Sequence, residues 1–163
     1  MTVRAVAQQA AVSPTSVYNR FGDKEGLITA LATRTLDGLA EVIDVGGDLE
    51  PVEQFRTSCR NYREFALRHP ARYSLIFGPG SPLEDRSSDV AAAGRAVFAI
   101  LVELIRAVKG SAPEQDSFEF AQVVWSALHG AVTIEHAKIA QVLDEDATFE
   151  RMLDVLAGSL VDR

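Results

Sequence analysis

Apolar side chains recur along this chain at three- and four-residue intervals almost from end to end, and no run alternates apolar with polar as a strand would. Val3, Val6, Ala7 and Ala10 open the pattern. It resumes in Pro14 to Arg20 and in Leu27 to Ile43, through Ala30, Leu31, Leu36 and Leu39. Residues 51–69 carry Phe55, Cys59, Tyr62, Phe65 and Ala66, a short stretch 71–77 follows, and 86–109 carries Val97, Phe98, Leu101, Leu104, Ile105 and Val108. Breakers at Ala10 to Pro14, Gly22-Asp23, Val45 to Asp48, His69-Pro70, Gly78 to Pro82, Gly110 to Pro113 and Asp144 to Asp146 separate these stretches. The pattern predicts an all-α chain of about eight helices with short connections, in which only 78–88 reads as a mobile loop.

Three start signals sharpen the first part. Thr2 is placed to cap a helix through its hydroxyl. Ser13-Pro14 pairs a cap residue with proline at the first helical position, where the missing amide hydrogen costs nothing. Asp23 caps a third helix that begins Lys24-Glu25.

The segment Glu114 to Gln141 is 28 residues without proline, roughly 42 Å if helical throughout. One stripe on it runs Phe118, Ala121, Trp125, Leu128, Val132, Ile139 and Leu143; a second, nearly opposite, runs Phe120, Val124, Ala127, Ala131 and Ile134. A helix apolar on two faces is buried on two sides. In so small a chain the second stripe is expected to meet another subunit. The last helix, Ala147 to Val161, adds Leu153, Leu156 and Leu160, so that two helices from each of two copies would form a four-helix homodimer interface.

Composition narrows the class. In 163 residues, 47% are hydrophobic and 24% charged, which suits a packed domain rather than a disordered chain. No apolar stretch approaches the ~20 residues of a membrane span, so no membrane partner is expected. The lone Cys59 rules out internal disulfides and cysteine-based zinc clusters and fits a reducing cytoplasm. The formal charge of −7 opposes a polyanionic partner, yet it is unevenly spread: the first forty residues carry a slight basic excess, and the acidic excess lies beyond them. A phosphate-facing surface therefore belongs near the N-terminus.

Two short helices joined by a tight turn form a helix-turn-helix, whose second helix enters the major groove. Here that helix offers Thr15, Ser16, Tyr18, Asn19 and Arg20, side chains suited to base edges and phosphates. Spacing alone leaves an ordinary helical hairpin equally open. The residues themselves go further. Thr2-Val3-Arg4-x-Val6-Ala7-x-x-Ala10-x-Val12-Ser13-x-x-Ser16-Val17-Tyr18-x-x-Phe21-x-Asp23-Lys24-Glu25-x-Leu27 closely resembles the DNA-binding region of the tetracycline-repressor (TetR) family of bacterial transcriptional regulators. The resemblance implies that Thr15, Ser16, Asn19 and Arg20 face the groove, and that Thr2, Tyr18 and Lys24 hold the phosphate backbone.

This sequence departs from the family's pattern at three points. Ala11 stands where a turn glycine is usual, and a left-handed conformation there would cost alanine about 1–2 kcal/mol. Arg20 replaces a frequent histidine. The family also carries a further basic helix ahead of the position of Thr2, whereas this sequence opens at Met1. By the resemblance, Val6, Val17, Phe21 and Ile28 lose part of their cover, and either the chain is a shortened version of a longer protein or its DNA-binding unit is incomplete.

A second motif, Trp125-x-x-x-His129-Gly130 with His69-Pro70-x-Arg72-Tyr73-x-x-x-Phe77, resembles the ligand domain of the TetR subgroup named for its Trp-His-Gly motif. Core packing is the plainer reading of each aromatic residue taken singly. The family likeness implies a small-molecule site among Phe55, Cys59, Tyr62, Phe77, Phe98, Leu101, Trp125 and His129. His129 and His136 are seven residues apart, unsuited to chelation from adjacent turns, so no metal is expected. Neither a cofactor fingerprint nor a catalytic cluster is visible, and no enzyme is expected. Cys59 on an apolar helix face is filler or a redox sensor.

These readings converge on a DNA-binding region with its connecting helix in 1–43 and a ligand-binding and dimerisation domain in 44–163. The expected protein is a cytoplasmic, homodimeric repressor of double-stranded operator DNA, released by a small-molecule effector. Its alternative is a dimeric ligand-binding module without DNA binding.

Overall fold

The computed structural model describes residues 2–110 and 113–161; Met1 and the Ser111-Ala112 part of the expected 110–113 break lie outside the described residues. Eight α-helices make up the described fold: α1 (Val3–Gln9), α2 (Pro14–Phe21), α3 (Lys24–Ile43), α4 (Pro51–Arg68), α5 (Pro70–Phe77), α6 (Asp89–Lys109), α7 (Glu114–Ala137) and α8 (Glu145–Val161).

The three start signals act as the sequence predicts. Thr2 Oγ1 accepts from the Ala5 amide at 3.3 Å, Ser13 Oγ from Ser16 at 3.0 Å, and Asp23 Oδ1 from Gly26 at 2.8 Å. Each satisfies one of the amides that the first turn of a helix leaves unpaired.

Two apolar cores result. The small one buries Val3, Ala7, Val17 and Leu27, with Val6, Phe21 and Leu31 packed against it. The large one begins with Ala32, Leu36, Leu39 and Ile43 and takes in α4 to α8. Packing therefore changes hands within α3. Its 20 residues, about 30 Å of helix, run from one core into the other.

Ion pairs lace the outside of α4. Arg56, Arg60 and Arg63 meet Asp154, Glu150 and Asp146 of α8, at 2.8, 2.8 and 2.7 Å respectively. Arg63 also clasps Glu135 of α7 through Nε and Nη2 at 2.8–3.1 Å, and both side chains are largely buried there.

Three expectations are corrected. Helix α7 stops at Ala137 rather than Gln141, because Lys138 turns left-handed (φ 55°) and closes the helix, its own amide bonding Glu135 O and that of Ile139 bonding Ile134 O. Ile139 and Leu143 thus leave the predicted stripe and stand exposed. Residues 78–88 form no loose loop either. A 3-10 turn (Pro82–Glu84) is pinned by Ser81 Oγ donating to Ile76 O, by the Gly80 amide donating to Glu84 at 3.1 Å, and by Leu83 seated against Gly94. Finally, Val124, Leu153, Leu156 and Leu160 are buried within the protomer's own core rather than standing on an outer face. Each lies on the inner face of its helix, where a single apolar stripe suffices to meet the body.

Candidate nucleic-acid interface and effector site

Helix α2 stands on the protein's surface with only Val17 buried. Thr15, Ser16, Tyr18, Asn19 and Arg20 are all exposed, as are Thr2 ahead of α1 and Lys24 at the start of α3. The helices bring the seven expected DNA contacts into one N-terminal unit. Two have local partners. Ser16 Oγ lies 2.8 Å from Ser13 Oγ within the cap, and the Arg20 guanidinium leans over the Phe21 ring at 5.7 Å.

The turn ahead of α2 carries the expected strain. Ala11 adopts φ 53°, its amide bonding Gln8 O at 3.2 Å while that of Val12 bonds Ala7 O at 3.0 Å. This paired arrangement closes α1 and aims the chain into the Ser13 cap. At the other end of α2, Gly26 lets α3 begin directly against the preceding helix, since a Cβ there would collide with the Phe21 carbonyl oxygen. A groove of about 1190 Å³ lies between this unit and the body, with Val6, Val17, Phe21, Leu27 and Leu31 on one side and Arg72, Leu75 and Asp89 on the other. Of the four residues expected to lose cover, Val6, Val17 and Phe21 line it; Val17 is itself buried, and Ile28 is half-buried.

The second constellation lies where α4, α5 and α7 meet. Trp125 and His129, one turn apart, pack with ring centroids 4.4 Å apart and planes inclined at 46°. Phe77 stands edge-on to both, at 5.7 Å from Trp125 and 4.5 Å from His129. Tyr62 packs 5.5 Å from His129, and Phe98 extends the cluster from Trp125 (5.8 Å) to Phe118 (5.2 Å). At the buried end, polar groups converge. The Tyr62 hydroxyl is 3.3 Å from the Tyr73 hydroxyl and 3.3 Å from both ring nitrogens of His129. His129 Nδ1 lies 2.9 Å from the Trp125 carbonyl. A carbonyl only accepts, so Nδ1 carries the proton and Nε2 is left as an acceptor.

Burial governs the ionisation of all three. It pushes the Tyr62 and Tyr73 phenols up and holds His129 below its ordinary value, although the bond to the Trp125 carbonyl works the other way. These three groups are therefore neutral near pH 7.

Of the eight residues expected to line a ligand site, Tyr62, Phe77, Phe98, Trp125 and His129 come together. Phe55, Cys59 and Leu101 are instead buried in the large core, as the packing of any apolar helix face would have them. Burial pushes the Cys59 thiol up to about 12, which suppresses the thiolate that redox chemistry requires. Sequence reasoning did not place Tyr73 or His136 among these residues. Tyr73 sits one turn before Phe77, a spacing that signals a shared face. His136 packs edge-on to Tyr73 at 5.1 Å, with Nε2 3.2 Å from Ala66 O.

The outer faces of α7 and α8 also differ from expectation. Ala127, Ala131 and Phe120 are half-buried and Ile134 is 44% exposed, but the outward residues further include Val123 (54%) and Val155 (63%). Gly130 and Gly158 lie on the same helices, each with open space where a Cβ would stand.

Both parts of the chain match known proteins. Residues 1–31 match the family model described as "Bacterial regulatory proteins, tetR family", and residues 55–156 match "Tetracyclin repressor-like, C-terminal domain". The chain is 30% identical, over its whole length and 73% of the relative's, to an uncharacterized HTH-type transcriptional regulator, Rv0681, of Mycobacterium tuberculosis. Among solved structures, a protein of unknown function from Rhodococcus sp. RHA1 shares the fold with a TM-score of 0.78 at 23% identity, over 99% of this chain and 86% of that one. A possible TetR family transcriptional regulator from Streptomyces coelicolor A3(2) does so with a TM-score of 0.64 at 21% identity, over 98% of this chain and 88% of that one. The reading unit at the front, the helical body behind it and these matches identify the chain as a member of the TetR family of DNA-binding transcriptional regulators.

Proposed function

We propose that this protein is a cytoplasmic, homodimeric repressor, without enzymatic activity, whose α2 helices read operator DNA and whose aromatic cluster receives the small-molecule effector that releases it. The observation that carries the reading is α2 itself. Five hydrogen-bonding side chains stand exposed on a helix that a single valine anchors. Asn19 and Arg20 are the base readers, with Thr15 and Ser16 beside them; Thr2, Tyr18 and Lys24 grip phosphates.

The coupling runs through α3. Over its length of about 30 Å, a tilt of about 10° at the body displaces the far end by about 5 Å, enough to spoil the fit of two reading helices to grooves one DNA turn apart. The dimer forms through the outer stripe of Val123, Ala127, Gly130 and Ile134 on α7 together with Val155 and Gly158 on α8, where glycines allow close helix approach.

Gel-shift titration on a duplex selected from a random pool tests this. Asn19→Ala is expected to weaken binding by about 1–3 kcal/mol and to relax preference at one base position. Lys24→Ala is expected to weaken all sequences alike and to lower the salt slope by about one unit. Equal loss on selected and random duplexes for Asn19→Ala would remove α2 as the reader.

A further inference from the structure

The polar end of the aromatic cluster narrows the chemistry of its ligand. Resting on the effector reading of that cluster, we propose that the effector is an uncharged aromatic molecule bearing a hydroxyl group, its ring taking the place of the Trp125 indole beside Phe77 and His129 and its hydroxyl donating to His129 Nε2.

The first ground is the tautomer. His129 Nδ1 is committed to the Trp125 carbonyl at 2.9 Å, so the ring offers an incoming molecule a lone pair rather than a proton. A lone pair selects a donor.

The second ground is slack. The Tyr62 hydroxyl is 3.3 Å from its neighbours on both sides, well beyond the ~2.8 Å usual for a hydroxyl donor. A ligand hydroxyl, able to donate and to accept, would shorten that chain rather than break a good one.

Charge is the third ground. Burial is the foremost influence on the ionisation of Tyr62, Tyr73 and His129, followed by the interaction between the two phenols and by the Trp125 carbonyl. A carboxylate would be desolvated there facing the Nε2 lone pair. A ligand cation would meet the surroundings that already disfavour the imidazolium.

The fourth ground is access. Tyr62 and Tyr73 are buried, Phe77 and Trp125 half-buried, and Phe118 is 53% exposed, so the rings step from core to surface, and the half-buried indole lies 4.4 Å from the His129 ring.

Four probes of one ring size decide the matter: 2-naphthol, naphthalene, 2-naphthoate and 2-(aminomethyl)naphthalene. Each is titrated into the full chain by calorimetry, with the ¹⁵N shifts of the His129 ring as the reporter of place. The expected result is that 2-naphthol binds about tenfold more tightly than the other three, the scale of one well-made hydrogen bond, and moves the Nε2 resonance. In His129→Phe that advantage over naphthalene is expected to fall to about threefold or less while naphthalene itself still binds. Binding of naphthoate or of the ammonium as tight as that of the naphthol overturns the ligand class and leaves the effector site standing. So does a naphthol advantage that survives His129→Phe. If none of the four moves the His129 resonances, the cluster is not the effector site, and both readings fall.

Discussion

Ala11 gives the sharpest test of how the reading unit is held. It sits at φ 53°, in the left-handed region that favours glycine, as the link between α1 and the Ser13 cap. Alanine in that conformation costs about 1–2 kcal/mol. Replacing it with glycine removes the strain but widens the unfolded ensemble, at a cost of about 0.4–1 kcal/mol. The side chain is exposed, so little burial is lost. Ala11→Gly is therefore expected to stabilise the unit by about 0.5–1 kcal/mol. The neighbouring residue supplies the control, because Ala10 is also exposed but right-handed (φ −82°). Ala10→Gly meets the entropy term with no strain to relieve and should destabilise by about 0.5–1 kcal/mol. Both substitutions remove one exposed methyl group, yet their effects differ in sign. Native-state hydrogen exchange of the α1 and α2 amides reads the local free energy directly. If Ala11→Gly loosens those amides as Ala10→Gly does, the turn is not strained and the reasoning is refuted.

Other changes probe other joints. Gly26→Ala puts a methyl into the Phe21 carbonyl, so α3 must withdraw from α2; a loss of about 1–3 kcal/mol in the same exchange experiment and a matching loss of gel-shift affinity are expected. Gly130→Leu meets open space in the protomer and improves helix propensity, so it should raise protomer stability by up to about 1 kcal/mol while weakening self-association at least about tenfold in sedimentation equilibrium. Unaltered association would move the interface off this stripe. His129 makes stability depend on pH. Its folded value lies below the ordinary 6.5, so its contribution is fully present above that pH and is lost as pH falls through the lowered value. Urea midpoints between pH 7.5 and 5 should therefore fall further in the native protein than in His129→Asn, which keeps a donor toward the Trp125 carbonyl.

Much of this was legible because the signals are local. The caps at Thr2, Ser13 and Asp23 each act across three residues, and the helical period is visible wherever one face is buried. The left-handed Ala11 was readable as a departure from a glycine. What escaped depends on neighbours distant in sequence. Val124 and Val123 are adjacent and equally apolar, yet one is buried by the body and the other is turned to solvent, a difference of one helix step that only the packing of α7 against α4 and α6 decides. The early end of α7 was hidden for a related reason. Lys138 is an ordinary helix former, and only the bond from Ile139 to Ile134 O reveals its left-handed turn. In the aromatic cluster, Trp125 and His129 announce themselves by their spacing, but Tyr73 joins them from α5 and Phe55 withdraws into the core, neither of which periodicity can sort.

The uneven division of apolar residues between the two cores bears on how such a protein is switched. Among the described residues, four buried side chains hold the reading unit, against two dozen in the body, and the strained Ala11 falls in the thinner part. Strain and sparse burial both lower the free energy of local opening, so α1 and α2 belong to the low-stability end of the molecule. They are nevertheless not free to drift, because Leu27 and Leu31 tie them to α3, and α3 continues into the large core at Ala32 and Leu36. The groove separating them from Arg72 and Leu75 leaves the side toward α5 open. A unit fastened along one helix and open on the opposite side moves as that helix moves. On the proposed reading, an effector at the cluster need not touch α1 or α2. It has only to change where the body holds α3, and the weakly packed unit follows because its own core cannot resist.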